Sequence, residues 1–136
     1  MDKSQEQLNE IHGLIVKLPW IGLILSGAKT WEIRGSNTRI RGKIALIKSG
    51  TGLIYGTVEL IGSRLLTLAE YQGGEAHHCI PDARHKPAPY ERTWAWELRN
   101  PIRYSAPIPY QHPRGAVIWV CLDLTRETLL AAHVLE

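Results

Sequence analysis

Lys29, Glu32 and Arg34 fall within six residues of one another, in Gly27-Ala28-Lys29-Thr30-Trp31-Glu32-Ile33-Arg34. Two cations flanking one carboxylate can bind the edge of a nucleobase. Glu32 would accept from an exocyclic amino group, and Lys29 and Arg34 would reach carbonyl or phosphate oxygens. The same three groups could also promote hydrolysis, with Glu32 activating a water and Lys29 stabilising the developing oxyanion. The plainer alternative is an exposed strand face with an ordinary surface ion pair, which stabilises little. Trp31 and Ile33 alternate with Thr30, Glu32 and Arg34, the period-2 pattern of a half-buried strand over Lys29–Arg34. Trp31 and Ile33 should then face the core, with Thr30, Glu32 and Arg34 on the opposite face.

Other residues are candidates for the same cleft. Trp20, beside Pro19, could stack on a base or serve as a lid over the core. Lys48 and Ser49 end a strand at a Gly-rich turn, where they could hold a phosphate or a sugar or lie in solvent. His77 and His78 could relay a proton, since imidazole titrates near neutrality, or sit in a solvated loop. His77, His78, Cys79 and His85 have no standard zinc spacing, so no metal and no other cofactor is expected. Glu59 could be exposed or line the cleft. Arg39, Arg41 and Lys43 form a basic edge that could track a nucleic-acid backbone or blunt an edge strand.

The elements that must position these residues are short. Gly13–Lys17 reads as a first strand. Pro19 opens a helix over Trp20–Ser26, and Gly27 caps its C-terminus. Further strands are expected over Lys43–Lys48, Leu53–Ile61, Thr93–Leu98 and Ala116–Leu122. Thr67 is a candidate N-cap for a helical turn over Thr67–Gln72. Gly73–Tyr90 reads as a long functional or mobile loop, and Pro101–Gly115, with four prolines, as an extended connector. Residues 1–12 should be a polar tail or helix, 13–122 the domain, and 123–136 a C-terminal helix or tail. The fold class is α+β: a small, closed or nearly closed barrel of five or six mixed strands with a few short peripheral helices.

The 136 residues fit one domain with its own core, with 44% hydrophobic and 21% charged residues. A net charge of +3 is a mild bias toward phosphate-bearing partners. Phe is absent, while Trp and Tyr number five each, so every aromatic side chain carries a polar handle suited to wet clefts and stacking sites. Two cysteines without CxxC spacing argue against a disulfide framework. No apolar run has the length of a membrane helix, and Met1–Glu10 has no signal-peptide core. A cytoplasmic setting is expected.

The pattern Gly27-x-Lys29-x-x-Glu32-x-Arg34 resembles the hallmark of the ASCH domain, a family named for homology to a transcription coactivator. Its flanks are similar too. Leu18-Pro19-Trp20 with Ile24-Leu25 resembles the family's lead-in, with Leu18 in place of the usual Gln. Lys43–Ser49, Tyr55–Leu60, Trp94-Ala95-Trp96, Asn100-Pro101 and Pro107 to Trp119 resemble its later strands. The resemblance implies a PUA-like β-barrel with a ligand site beside the hallmark strand, and RNA or a (modified) nucleotide as partner. It also leaves a hydrolase and a protein-interaction adaptor as alternatives, the hydrolase acting on an acylated cytidine-type base or as a metal-independent ribonuclease. One branch hydrolyses acetylcytidine with a Lys, a Thr and a distant Glu. Its Lys matches Lys29, but its Thr falls at Glu32. Thr30 is displaced from there by one strand repeat of about 7 Å. The distant Glu would fall near Glu75–Cys79.

Overall fold

The computed structural model describes residues 9–124. The strands are β1 (Asn9–Val16), β2 (Trp31–Arg34), β3 (Gly42–Lys48), β4 (Leu53–Leu65), β5 (Trp94–Pro109) and β6 (Trp119–Leu124). Helices α1 (Trp20–Ser26), α2 (Leu68–Gln72) and α3 (Glu75–His78) and a 3-10 turn (Ala83–His85) lie between them. The six strands form one mixed sheet in the order β2-β5-β4-β3-β1-β6. Only the β1–β3 pair is parallel among the described strands. The class is α+β, as expected, but the sheet is not closed. It curls instead: Trp96 of β5 stacks on Trp119 of β6 at 5.6 Å, with β4, β3 and β1 between them in the sheet order.

The central position of β3 explains its unbroken apolar run. Ile44 and Leu46 enter one core with Leu14, Val16, Ile24, Val58, Leu60 and Trp96. Ala45 and Ile47 enter a second core with Ile54, Ile108, Val120 and Leu122. A strand buried on both faces loses the polar alternation of a half-buried one. Gly56 leaves no room for a side chain in the β4–β5 pair: a Cβ there would strike the carbonyl oxygen of Ile102.

Helix α1 ends as its sequence predicts, with Gly27 in the left-handed region (φ 87°) and its N–H donating to the Ile24 carbonyl. Thr67 caps α2, and Glu70 completes a capping box by accepting from the Thr67 N–H at 2.8 Å.

Several boundaries differ from expectation. β1 starts at Asn9, so Glu10–His12 are strand rather than tail. Of the C-terminal helix or tail expected over 123–136, Asp123 and Leu124 belong instead to β6, and the remainder lies outside the described residues. Lys29 and Thr30 precede β2. The proline-rich connector is partly strand, because β5 continues through Pro101, Pro107 and Pro109. Prolines cannot donate to a ladder, and the β4–β5 register shifts at Thr57/Glu59 and Ile54/Gly56 accommodate the interruption. Asn100, at φ 53°, makes the bend before Pro101. Ala116–Ile118 are not strand, and Trp119, the first residue of β6, is half-buried on Trp96. Gly73–Tyr90 contains α3 and the 3-10 turn among turns and bends, and Ala83 is wholly buried. Among the described residues no helix is long and apolar enough to cross a membrane.

Candidate functional site

A cleft of about 390 Å³ opens where α1, β2 and the ends of β1 and β3 meet. That volume falls within the range of small-molecule sites. Trp20, Lys29, Glu32, Arg34 and Ser49 all line it, so five of the residues singled out in the sequence converge.

The floor is a charged group taken out of solvent. Lys29 is only 3% exposed and Glu32 6%. Such burial is rare for these residue types unless they are paired. Lys29 Nζ donates to the His78 carbonyl at 2.6 Å and lies 3.8 Å from Glu32 Oε1. It also stands 4.7 Å over the Trp20 ring, within cation–π range. Arg34 places Nε and Nη2 each 2.8 Å from Glu32 Oε2. Its Nη2 also donates to the Ile15 carbonyl of β1 at 3.1 Å, and its guanidinium lies over Trp96. Burial lowers the Lys29 pKa from 10.5, opposed chiefly by the negative charge of Glu32.

Local structure explains why Lys29 turns inward. The Gly27 cap ends α1 abruptly, and the Lys29 N–H donates to the Leu23 carbonyl, which fixes the chain at the strand entry. Helix α3 is tied alongside by the Thr30 N–H, which donates to the His77 carbonyl at 2.8 Å. The His78 carbonyl is thereby held over the lysine.

His78 is not solvated. It is fully buried, stacked on Tyr71 at 4.9 Å. Its Nδ1 accepts from the Ile80 N–H at 3.0 Å, so the ring proton sits on Nε2 and is donated to the Tyr71 carbonyl at 2.7 Å. Burial holds its pKa below 6.5. The unfolded chain therefore takes up this proton first as pH falls. The stability His78 contributes is complete above pH 6.5 and is lost as pH falls through 6.5 toward the depressed folded value. Urea midpoints measured from pH 7.5 to pH 5 should fall for the wild type more steeply than for His78→Leu. Parallel curves would refute the linkage.

The other expected residues lie elsewhere. The Thr30 hydroxyl faces the exposed His77, 3.3 Å from Nδ1, and is not part of the cleft lining. His77 stacks on Trp31 at 4.5 Å. Lys48 extends over the Tyr55 ring and does not line the cleft. Glu59 pairs on the surface with Arg99 and Asn100. Arg41 donates to the carbonyls of its own loop. Among the described residues no cluster of His, Cys, Asp and Glu could hold a metal ion.

The walls contain residues that sequence spacing did not single out: Lys17, Ile80, Pro89, Tyr90 and Val117. Tyr90 is 46% exposed and packs against Gly35, where a Cβ would come within 2.8 Å of its ring. An exposed aromatic in a proline-rich stretch is the one local signal it offered. Its distance in sequence from Gly35 concealed the contact.

The family model of the ASCH domain matches residues 14–108, most of the chain. No curated protein matches the sequence. Similar solved structures include three crystal structures of the ASCH protein from Zymomonas mobilis. The tyrosine-to-phenylalanine mutant is 16% identical, with a TM-score of 0.63 covering 91% of this chain and 96% of that one. The serine-to-alanine mutant is 16% identical, with a TM-score of 0.60 and coverages of 88% and 92%. The unmutated protein is 18% identical, with a TM-score of 0.59 and coverages of 90% and 92%. At such identities the likeness is one of fold, but the family match spans well over half of the sequence: the chain belongs to the ASCH domain family.

Proposed function

We propose that this domain binds RNA or a modified nucleotide, taking one base into the cleft. The observation that carries the reading is the Lys29–Glu32–Arg34 group, its lysine and glutamate buried, in a cleft that Trp20 and Tyr90 also line. A nucleobase is flat and has donors and acceptors alternating along its edge. A fixed carboxylate between two cationic donors offers the complementary pattern, and the two aromatic side chains offer stacking surface. The groups are held in place by the fold before any ligand arrives, which limits the ordering cost of binding.

A second reading, hydrolysis of a modified base or of RNA, is favoured by one feature. A lysine with a lowered pKa shares the cleft with the hydroxyl groups of Ser49 and Tyr90.

Calorimetric titration with ordinary ribonucleosides and acetylcytidine, followed by mass spectrometry of the mixtures, tests both. Binding is expected, and Trp20→Ala should weaken it roughly 5- to 150-fold, the range of a lost stacked base. Binding without product makes the domain a reader, and product makes it a hydrolase. Failure of every nucleoside and of a short RNA to bind would refute the proposal.

A further inference from the structure

The mouth of the cleft differs chemically from its floor. Lys17 and Ser49 line it there, following the C-terminal ends of β1 and β3, the one parallel pair among the described strands. Val16 pairs with Lys48 in that register, and the Ser49 N–H donates to the Val16 carbonyl at 2.9 Å. The residues that follow each strand are thus set side by side. Crevices beyond the carboxyl ends of parallel strands are recurrent ligand sites.

Two further observations point to an anion at this mouth. The first is charge. On the floor, Lys29 and Arg34 share the single carboxylate of Glu32, and Lys17 adds a third cation to the lining, so three positive groups face one negative. The second is vacant donor capacity. Among the described residues, neither the exposed Lys17 ammonium nor the Ser49 hydroxyl has a hydrogen-bond or ion-pair partner, whereas the floor groups are all engaged. A lone base on the floor would leave both donors and the surplus charge unused.

We propose that the cleft is built for a phosphorylated nucleoside, with the phosphate held by Lys17 and Ser49 at the mouth while the base rests on the Lys29–Glu32–Arg34 floor. This deepens the base-binding reading and rests on it. A phosphate accepts from the ammonium and the hydroxyl together, and both bonds are charge-assisted. The phosphate could be a monoester on a free nucleotide or a diester within an RNA chain. The shared chemistry is a phosphate oxygen attached to the bound nucleoside.

Calorimetric titrations at low salt, with cytidine, acetylcytidine, their 5′-monophosphates and the cytidine dinucleotide, test the assignment. The 5′-monophosphate is expected to bind about tenfold or more tighter than its own nucleoside, in keeping with charged hydrogen bonds. That ratio should collapse toward one in Lys17→Ala and recover in Lys17→Arg. It should also shrink as salt rises. Lys17 is exposed, so the variants should fold, and their melting curves check this. A dinucleotide that binds like the monophosphate assigns the phosphate to an RNA chain, and one that binds like the nucleoside assigns it to a free nucleotide. Equal affinities for nucleoside and monophosphate in the wild type, or a ratio untouched by Lys17→Ala, would overturn the phosphate site and leave base binding standing. If nothing binds, base binding fails and the phosphate site with it.

Discussion

Exchanging Glu32 for glutamine is expected to cost about 3 kcal/mol of stability and most of the ligand affinity, although the two side chains are nearly isosteric. The carboxylate is the shared counter-charge of Lys29, at 3.8 Å, and of Arg34, at 2.8 Å. Neutralising it leaves a lysine ammonium that is 3% exposed without its carboxylate partner. Removing one partner of a buried pair is much worse than never having had the pair, because the desolvation of the survivor is no longer offset. The pH dependence follows from the lysine. Burial already lowers its pKa from 10.5, and Glu32 opposes that shift, so the glutamine variant lowers it further. Between the folded value and 10.5 the unfolded chain binds the proton and the folded chain does not, so stability rises with pH across that window. Below the folded value the full penalty applies. Urea denaturation at pH 7 and at pH 10.5, the top of that window, should therefore show the gap between variant and wild type narrowing at the higher pH. A gap of the same size at both would show that the lysine charge is not the cause.

Lys29→Met should separate binding from stability. Methionine roughly fills the volume of the lysine stem. Glu32 keeps its bonds to Arg34, while the His78 carbonyl loses the donor it has at 2.6 Å. An unsatisfied buried acceptor costs roughly 1–3 kcal/mol, but the variant no longer buries an ammonium, so the two changes partly cancel. The expected net effect on stability is about 1 kcal/mol or less, a melting shift of a few degrees. Ligand affinity should fall about a hundredfold, as when one member of a desolvated charge pair is removed. If the methionine variant binds normally, Lys29 does not recognise the ligand and the floor of the cleft is not a recognition site.

The contrast between these variants reflects how the site is assembled. Lys29 and Glu32 come from neighbouring positions, so their proximity is legible in the sequence. The hallmark spacing, the Gly27 cap and the strand period over Trp31–Arg34 are all local properties of the chain. So was the capping role of Thr67, completed by Glu70. The apolar pattern also showed that the domain is α+β with a mixed set of short strands. Local rules suffice there because hydrogen bonds within a turn, and side-chain alternation along a strand, involve residues a few positions apart.

What tertiary structure alone decided is the burial of that motif and the identity of its neighbours. The strand pattern placed Glu32 and Arg34 on a face away from the core, a face that could have been solvent. It is roofed instead by α3, the Trp20 ring and the segment that carries Ile80, Pro89 and Tyr90. The His78 carbonyl is 49 residues from Lys29, and no spacing rule reports such a contact. The prolines of β5 misled for the same reason. Proline disfavours a strand locally, yet pairing along β4, with register shifts where the prolines fall, outweighed that preference. Thr30 and Lys48 had the right chemistry at the right distance in sequence, but their rings of neighbours, His77 and Tyr55, drew them away from the cleft. Lys17 and Ser49 were brought together only by the parallel pairing of β1 with β3. Residue types and short spacings determined which groups could react or recognise. Which of them share one cleft depended on long-range packing, because burying apolar surface from distant segments supplies the free energy that holds a lysine and a glutamate out of water.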